Sequence, residues 1–208
     1  MESVAEKKEN CRFAGKSEMD TELCLNDRTK KLRILDQIID KEQDVAFFKV
    51  PLEDLVPVAS YPVFRMANLD DVGTSLCKLG FPFHPVNAVF NRNKNLFEFP
   101  PKLFPIAHFP SEGMLTRLVH KQVSKDRQVS FLEMSTPGLI GQSGGPVFNT
   151  QGEVYGMQSF TVSTPLNFKA ITADGHTKSD EMMHLGMAVP SAVLIKLMEQ
   201  KGITFRRN

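Results

Sequence analysis

The stretch Thr136-Pro-Gly-Leu-Ile-Gly-Gln-Ser-Gly-Gly-Pro146 decides how this sequence is interpreted. Ser143 stands between Gly141 and the pair Gly144-Gly145, where the backbone can adopt dihedral angles that other residues disfavour. A nucleophilic serine needs such a loop, because its hydroxyl has to face a carbonyl while the N–H groups of Gly141 and Ser143 converge on the developing oxyanion. On spacing alone, a glycine-rich hairpin loop with an incidental serine explains the stretch equally well.

The same stretch contains Gly-x-Ser-x-Gly, the pattern of the nucleophile elbow in α/β-hydrolases. That motif lies between a strand and a helix, and an acid and then a histidine follow later in the chain. Here Pro146 and a predicted hairpin follow the serine. Asp174 or Asp180 with His184 would complete the chain order, but no alternation of strands and helices surrounds them. An α/β-hydrolase esterase is therefore a distant alternative.

Composition excludes several classes of protein. The 208 residues carry 25 Lys and Arg against 24 Asp and Glu, so a nearly neutral chain has no basic field to attract nucleic acid. No apolar run reaches about 18 residues, so no membrane span is predicted. The first ten residues are polar and show no apolar stretch typical of a secretory signal, so cytoplasmic is the default localisation.

The cysteines and histidines give no sign of a metal or a cofactor. Cys11, Cys24 and Cys77 lack Cys-x-x-Cys spacing, which disfavours both a disulfide scaffold and a zinc site. No cluster of His, Cys and carboxylate side chains has the spacing of metal ligands, so we expect no cofactor.

Short apolar runs separated by Gly, Pro, Asn and Asp predict a mostly β chain with one helix. The predicted strands are Asp44–Val50, Ser75–Leu79, Gly113–His120, Gln128–Met134, Pro146–Asn149, Glu153–Phe160 and Leu185–Val189. The strand at Asp44–Val50 is expected to be buried on most of both faces, and Asn149–Gly152 predicts a hairpin loop. The helix is predicted from Ser191 as N-cap to Gly202, and the residues of its apolar face are Val193, Leu194, Leu197 and Met198. Pro and Phe crowd residues 81–110, which predicts a long ordered loop or an edge element.

The Ser-Gly-Gly-Pro string resembles the nucleophile loop of trypsin-like serine proteases, and its neighbours resemble the HtrA-like branch of that family. Five further segments match in the family's order and span roughly residues 30–200. Asp44–Val50 is similar to the strand that starts at the catalytic aspartate, and Leu79–Pro82 is similar to the Gly-x-Pro turn that opens the second barrel. Gly113–Thr116 is similar to the Gly-Ile-Val-Ser strand. Gly152–Gly156 resembles the hairpin after the nucleophile, and Leu185–Ser191 resembles the closing strand–helix unit.

This resemblance implies an all-β fold, a trypsin-like double β-barrel with an incomplete first barrel and a C-terminal α-helix. The implied organisation is a polar lead-in over 1–30, the remainder of the first β-barrel over 31–75, the second β-barrel with the helix over 76–202 and a tail over 203–208.

The resemblance also implies the roles of individual residues. Ser143 would be the nucleophile, Asp44 would orient a histidine that acts as general base, and the N–H groups of Gly141 and Ser143 would form the oxyanion hole. The implied substrate pocket is lined by Pro137, Gln158, Ser159, Phe160, Gly186 and Ala188. Since no carboxylate stands near Pro137, cleavage after Arg or Lys is disfavoured. The side chain expected in the substrate pocket is that of a small or medium apolar residue.

Three features depart from the family. Gln142 replaces the usual Asp or Asn before the nucleophile, and the segment after Phe81 is longer than the family's turn. More seriously, no histidine precedes His84, whereas the family's histidine precedes the aspartate. Asp44, His84 and Ser143 match the subtilisin chain order, but their surroundings do not resemble that family. His108, His120, His176 and His184 are interpreted as surface or structural residues.

Two hypotheses follow from the missing histidine. In the first, the chain is a serine endopeptidase that lacks the N-terminal half of its first barrel, because the 43 residues before Asp44 are too few to hold it. Such a chain would be weakly active or inactive on its peptide or protein substrate. In the second, it is a pseudoprotease that binds peptides or a partner. The oligomeric state stays open.

Overall fold

The structure is a computed structural model that describes residues 20–25, 28–51, 60–82, 89–93, 96–98, 107–125, 127–171 and 177–208. In this part of the chain strands predominate, and a helix, α1, covers Ser191–Gln200. A short 3-10 helix covers Leu69–Asp71. The strands are β1 Asp20–Leu25, β2 Arg28–Arg33, β3 Asp36–Asp40, β4 Val45–Lys49, β5 Val63–Phe64, β6 Ser75–Gly80, β7 Val89–Asn91, β8 Leu96–Glu98, β9 Phe109–Ser124, β10 Arg127–Met134, β11 Pro146–Phe148, β12 Glu153–Ile171, β13 Thr177–Pro190 and β14 Arg206–Arg207.

Six strands form a closed antiparallel barrel. They pair in the order β11-β6-β9-β10-β13-β12, and β12 pairs with β11 to complete the ring. The two-residue strands β5 and β14 extend the sheet beyond β12 with parallel pairing. Closure leaves no free edge around the ring, which protects it from pairing with other chains.

Alternating side chains fill the interior of the barrel. In β6 the even-numbered residues point inward and are buried, and the odd-numbered ones are half-buried. The core cluster contains Leu76, Leu115, Leu132, Met134, Val147, Tyr155 and Ala188. Lys78 follows Leu76 in the same phase, so the strand period places a lysine inside the barrel as well.

The remaining strands form three separate hairpins: β1 with β2, β3 with β4 and β7 with β8. The chain divides into two compact units, one of Met1–Ile38 and Phe47–Val56 and the other of Ile39–Ala46 and Pro57–Asn208. The second unit contains the barrel, the helix α1 and the turn that carries Asp44.

The helix α1 ends as predicted and begins differently. Gly202 has a positive φ of 64°, its N–H donates to the Glu199 carbonyl, and the Ile203 N–H donates to the Met198 carbonyl. This pair of bonds is the Schellman motif. The prediction of Ser191 as N-cap is wrong, because Pro190 occupies that position without a side-chain cap. The Ser191 hydroxyl donates instead to the Val154 carbonyl at 2.6 Å.

The mostly β prediction is confirmed, and the described strands include each predicted one. The long β12–β13 hairpin extends well beyond the predicted Glu153–Phe160 and Leu185–Val189. Burial of both faces of β4 is not observed, since the Phe48 side chain is 50% exposed. The α/β-hydrolase alternative is wrong, because strand β11 and not a helix follows Ser143.

Several predicted features lie outside the described residues. They include Cys11, Asp174, His84 and His176. Of the segment rich in Pro and Phe, residues 81–82, 89–93, 96–98 and 107–110 are described, and they contribute the β7–β8 hairpin. In the described part of the chain, no helix is long and apolar enough to cross a membrane.

Candidate active site

The serine loop joins β10 to β11 and depends on its glycines. Gly141 and Gly144 have φ values of 96° and 84°, a region that L side chains rarely adopt. A Cβ on Gly141 would lie 2.6 Å from the Phe81 carbonyl oxygen, whereas a Cβ on Gly144 would meet no atom within 4 Å. Gly141 is therefore required for two reasons, its backbone conformation and its close approach to Phe81.

The Gln142 side chain holds the loop from inside. It is fully buried, its Oε1 accepts a hydrogen bond from the Leu139 N–H at 3.0 Å, and its Nε2 donates to Ser111 Oγ at 2.9 Å. The amide of this residue thus connects the loop to strand β9 through one accepted and one donated hydrogen bond. The departure noted in the sequence has a structural role.

Two backbone N–H groups of the loop are available to a ligand. The Gly144 N–H donates to the Gln158 carbonyl at 2.8 Å and the Gly145 N–H donates to the Gln142 carbonyl at 2.9 Å. Among the described residues, no acceptor is bonded to the N–H of Gly141 or of Ser143. Free backbone donors on the serine itself and on the glycine two residues before it are what stabilisation of an oxyanion requires.

Ser143 and Asp44 are connected through Ser159 of strand β12. The exposed Ser143 hydroxyl donates to the Ser159 carbonyl oxygen at 2.8 Å. The buried Ser159 hydroxyl in turn donates to Asp44 Oδ2 at 2.7 Å. The structure therefore brings the predicted nucleophile and the predicted acid to one residue.

The turn between β3 and β4 presents Asp44. Asp40 Oδ1 accepts the N–H groups of Glu42 and Gln43, both at 3.1 Å, which is typical of a turn built on an aspartate. Asp44 then adopts a φ of 56°, a left-handed conformation that Asp tolerates better than most residues. A non-glycine residue in this conformation is often part of a functional site, because the surrounding structure has to hold it there.

The described histidines have other partners. His120 Nδ1 pairs with Ser130 Oγ at 2.9 Å, and His184 Nδ1 pairs with Ser163 Oγ at 2.8 Å. The His108 ring packs 5.0 Å from the ring of Phe81. Among the residues that the structure describes, no imidazole is hydrogen-bonded to Ser143.

Lys78 is a buried residue of this region that the sequence analysis missed. Its Nζ donates to Pro137 O at 2.7 Å, to Thr136 O at 2.8 Å and to Thr136 Oγ1 at 2.9 Å, so all three ammonium donors are used. Burial lowers the pKa of Lys78 to about 8. The signal was present in the sequence, because Lys78 follows Leu76 in the two-residue period of a strand.

The residues expected around the substrate pocket do not share one environment. Gln158 is buried, its Nε2 donates to the Phe160 and Met187 carbonyls at 3.1 Å, and a Cβ on Gly138 would collide with its amide. Ala188 belongs to the barrel core.

Phe160 and Gly186, two further residues expected around the pocket, differ in their exposure to solvent. Phe160 is 41% exposed and contacts Phe131 edge-to-face, with ring centroids 5.1 Å apart. Gly186, in contrast, is buried, and its N–H donates to the Thr136 carbonyl at 3.0 Å.

Within the described part of the chain, no group of three His, Cys, Asp or Glu side chains could hold a metal ion. Cys77 is half-buried, and burial followed by the charge of Glu112 raises the pKa of its thiol. A raised pKa keeps the thiol protonated and unreactive.

The solved structures to which this chain shows similarity include three proteases. The HtrA-type protease AlgW with a decapeptide has a TM-score of 0.47 at 17% identity and covers 83% of this chain and 40% of its own. The active form of the Rv3671c protease from M. tuberculosis has a TM-score of 0.49 at 14% identity, with 85% and 62% covered. The serine endoprotease from Yersinia pestis has a TM-score of 0.46 at 17% identity, with 83% and 44% covered.

The chain therefore spans less than two thirds of the length of each of these three proteins. No curated protein matches the sequence significantly. The model of the trypsin-like peptidase domain, by contrast, matches residues 2–157, which is well over half of the chain. This chain belongs to the family of trypsin-like peptidase domains.

Proposed function

We propose that this chain is a serine-type endopeptidase domain in which Ser143 is the nucleophile and Asp44 the acid that would orient a histidine. The observation that carries the proposal is the pair of hydrogen bonds from Ser143 to the Ser159 carbonyl and from the Ser159 hydroxyl to Asp44. The free N–H groups of Gly141 and Ser143 support an oxyanion hole on the same loop.

The expected activity is weak, because no described histidine accepts the Ser143 proton. Removal of one member of a catalytic triad typically costs several orders of magnitude in kcat, and the residual rate comes from the oxyanion hole and substrate binding. We therefore expect slow hydrolysis, faster than in water and dependent on Ser143.

Hydrolysis of an activated ester tests this function directly. The full chain should hydrolyse p-nitrophenyl acetate slowly, and Ser143→Ala should remove this activity. Ser163→Ala is the matched control, because Ser163 is an exposed serine of β12 that bonds to His184. Equal rates for Ser143→Ala and the parent chain would exclude Ser143 as the nucleophile.

We further propose that the pocket accepts a small or medium apolar side chain. A Cβ on Gly138 would collide with the Gln158 amide, and the Lys78 ammonium has no donor left for an acidic substrate. Peptide esters that end in alanine or valine should react faster than those that end in arginine or glutamate. A preference for arginine would overturn this assignment.

A pseudoprotease that binds peptides is the second candidate. The observation in its favour is that the Ser143 hydroxyl donates to the Ser159 carbonyl and not to an imidazole. This candidate predicts that the Ser143→Ala variant still binds peptides. It also predicts that neither the parent chain nor the variant hydrolyses the ester. Ester hydrolysis that depends on Ser143 would exclude it.

A further inference from the structure

Strand β6 contacts the start of the serine loop through the side chain of Lys78. This side chain is fully buried, and its ammonium donates to Pro137 O at 2.7 Å, to Thr136 O at 2.8 Å and to Thr136 Oγ1 at 2.9 Å. A buried ammonium has lost its hydration, so it is stable only where protein oxygens replace the water. Three oxygens that converge on one cation therefore fix Thr136 and Pro137 relative to β6.

Thr136 is enclosed by two further strands. Its carbonyl oxygen also accepts the Gly186 N–H at 3.0 Å, and a Cβ on Gly186 would lie 2.6 Å from that oxygen. A Cβ on Gly113 would collide with the Thr136 hydroxyl, so strands β9 and β13 both approach this residue closely. Among the described residues, only Lys78 donates to the Pro137 carbonyl, and the position of Pro137 therefore depends on the ammonium.

Strand β6 also contacts this segment at the end nearer to the serine. Phe81 directly follows β6, and its N–H donates to the Gly141 carbonyl at 2.9 Å. Residues 136–141 are therefore bound to one strand at both ends, by the Lys78 side chain and by the Phe81 backbone. The Gly141 N–H, a proposed donor to the oxyanion, lies at the second of these ends, so its direction depends on how the whole segment is held.

We propose that Lys78 is a positioning residue of the peptidase domain, whose ammonium fixes Thr136 and Pro137 and thereby keeps the Gly141 N–H directed at the oxyanion. The inference rests on the proposed function of Ser143 and extends it to a residue that does not touch the substrate. Lysine suits this role because one ammonium offers three donors from a single point.

Lys78→Met tests this role, because it keeps the length of the side chain and removes all three donors. The substrates are p-nitrophenyl acetate and the matching thionoester, in which sulfur replaces the carbonyl oxygen. Sulfur is a weak hydrogen-bond acceptor, so the thionoester gains little from the N–H donors of an oxyanion hole. The measurements are made at pH 7, where Lys78, whose pKa is lowered by burial to about 8, is mostly protonated.

In Lys78→Met, kcat for the ester should fall about 10- to 100-fold, because a displacement of about 1 Å at a catalytic group has an effect of this size. KM should change by less than about twofold, since the donors act on the transition state. The kcat for the thionoester should fall much less, so the ratio of the two rates decreases. Lys196→Met removes an exposed lysine of α1 and should leave both rates unchanged. An unchanged ratio in Lys78→Met, whether or not both rates fall, would overturn the proposal.

¹⁵N NMR adds a measurement that needs no catalysis. The amide signals of Gly141 and Ser143 should shift in Lys78→Met and not in Lys196→Met, and unshifted signals in Lys78→Met would overturn the proposal. If the parent chain shows no hydrolysis that depends on Ser143, the proposed function fails, and these signals still decide whether Lys78 positions the loop. Should Lys78→Met not fold, Thr136→Val replaces it, because it removes one of the three acceptors. The same two signals should then shift in Thr136→Val and not in Thr136→Ser, which keeps the hydroxyl, and equal signals in both variants would contradict the role of Lys78.

Discussion

Ser159 Oγ donates a hydrogen bond to Asp44 Oδ2 at 2.7 Å, although 115 positions separate the two residues in the sequence. The carbonyl of the same serine accepts the Ser143 hydroxyl at 2.8 Å. Strand β12 therefore fixes the distance between the turn that carries the acid and the loop that carries the proposed nucleophile. The position of each is defined by a contact to the barrel.

Loss of the Ser159 hydroxyl should destabilise the chain measurably. A hydrogen bond to a charged group contributes about 1.5–3 kcal/mol, so Ser159→Ala should lower the free energy of unfolding by about that amount in urea titrations. Ser163→Ala, at an exposed position of the same strand, should change it by less than about 0.5 kcal/mol. Equal effects of the two substitutions would contradict the importance of the Asp44 contact.

The two glycines of the serine loop should respond differently to alanine. In Gly144→Ala the new Cβ contacts no neighbouring atom. The free energy of unfolding should therefore fall by only the cost of a left-handed conformation for an L residue, about 1–2 kcal/mol. Gly141→Ala also brings a Cβ against the Phe81 carbonyl, so it should destabilise the chain further and reduce ester hydrolysis more than Gly144→Ala does. Thermal unfolding and initial rates measure both effects, and the reverse order of the two variants would be evidence against the loop geometry.

Gln142 should be needed for its amide and not only for its volume. Gln142→Met retains the side-chain length but leaves the Leu139 N–H and the Ser111 hydroxyl without their partner. An unsatisfied buried group costs about 1–3 kcal/mol, and we expect a loss of stability in that range from urea unfolding. Gln151→Met, at an exposed loop position, is the control and should be neutral. A neutral Gln142→Met would show that the two contacts contribute nothing.

Lys78 should make stability depend on pH in the alkaline range. Burial lowers its pKa from 10.5 to about 8 in the folded state, so between these values the unfolded chain binds more protons. The free energy of unfolding therefore rises with pH between the two pKa values. The reason is that the charged form of Lys78 destabilises the folded state, and this form is lost as the pH rises. The difference in unfolding free energy between the parent chain and Lys78→Met should increase from pH 8 to pH 10. Measuring this difference cancels the raised pKa values of Cys77 and Tyr155, which act in the opposite direction.

The sequence predicted the strands and turns because their signals are local, whereas the barrel was implied by the resemblance to trypsin-like serine proteases. A short segment is enough to show a two-residue alternation or a cluster of turn residues. The strand Ser75–Gly80 and the loop Asn149–Gly152 both lie where these patterns predicted a strand and a hairpin loop. The helix start at Ser191 was misassigned because the serine hydroxyl bonds to β12, a contact that depends on the tertiary fold. The role of Ser159 between Ser143 and Asp44 was missed for the same reason, since no local pattern encodes a contact across 115 residues.

The most direct test of the proposed function is the pH dependence of Ser143 labelling by a fluorophosphonate. The proposal predicts slow labelling at Ser143 alone, absent in Ser143→Ala, with a rate that rises steadily with pH because hydroxide has to replace the missing base. An imidazole base would instead give fast, stoichiometric labelling with an inflection near its pKa of about 6.5. That result would contradict the weak activity proposed for this chain, and labelling at another residue would contradict Ser143 as its nucleophile.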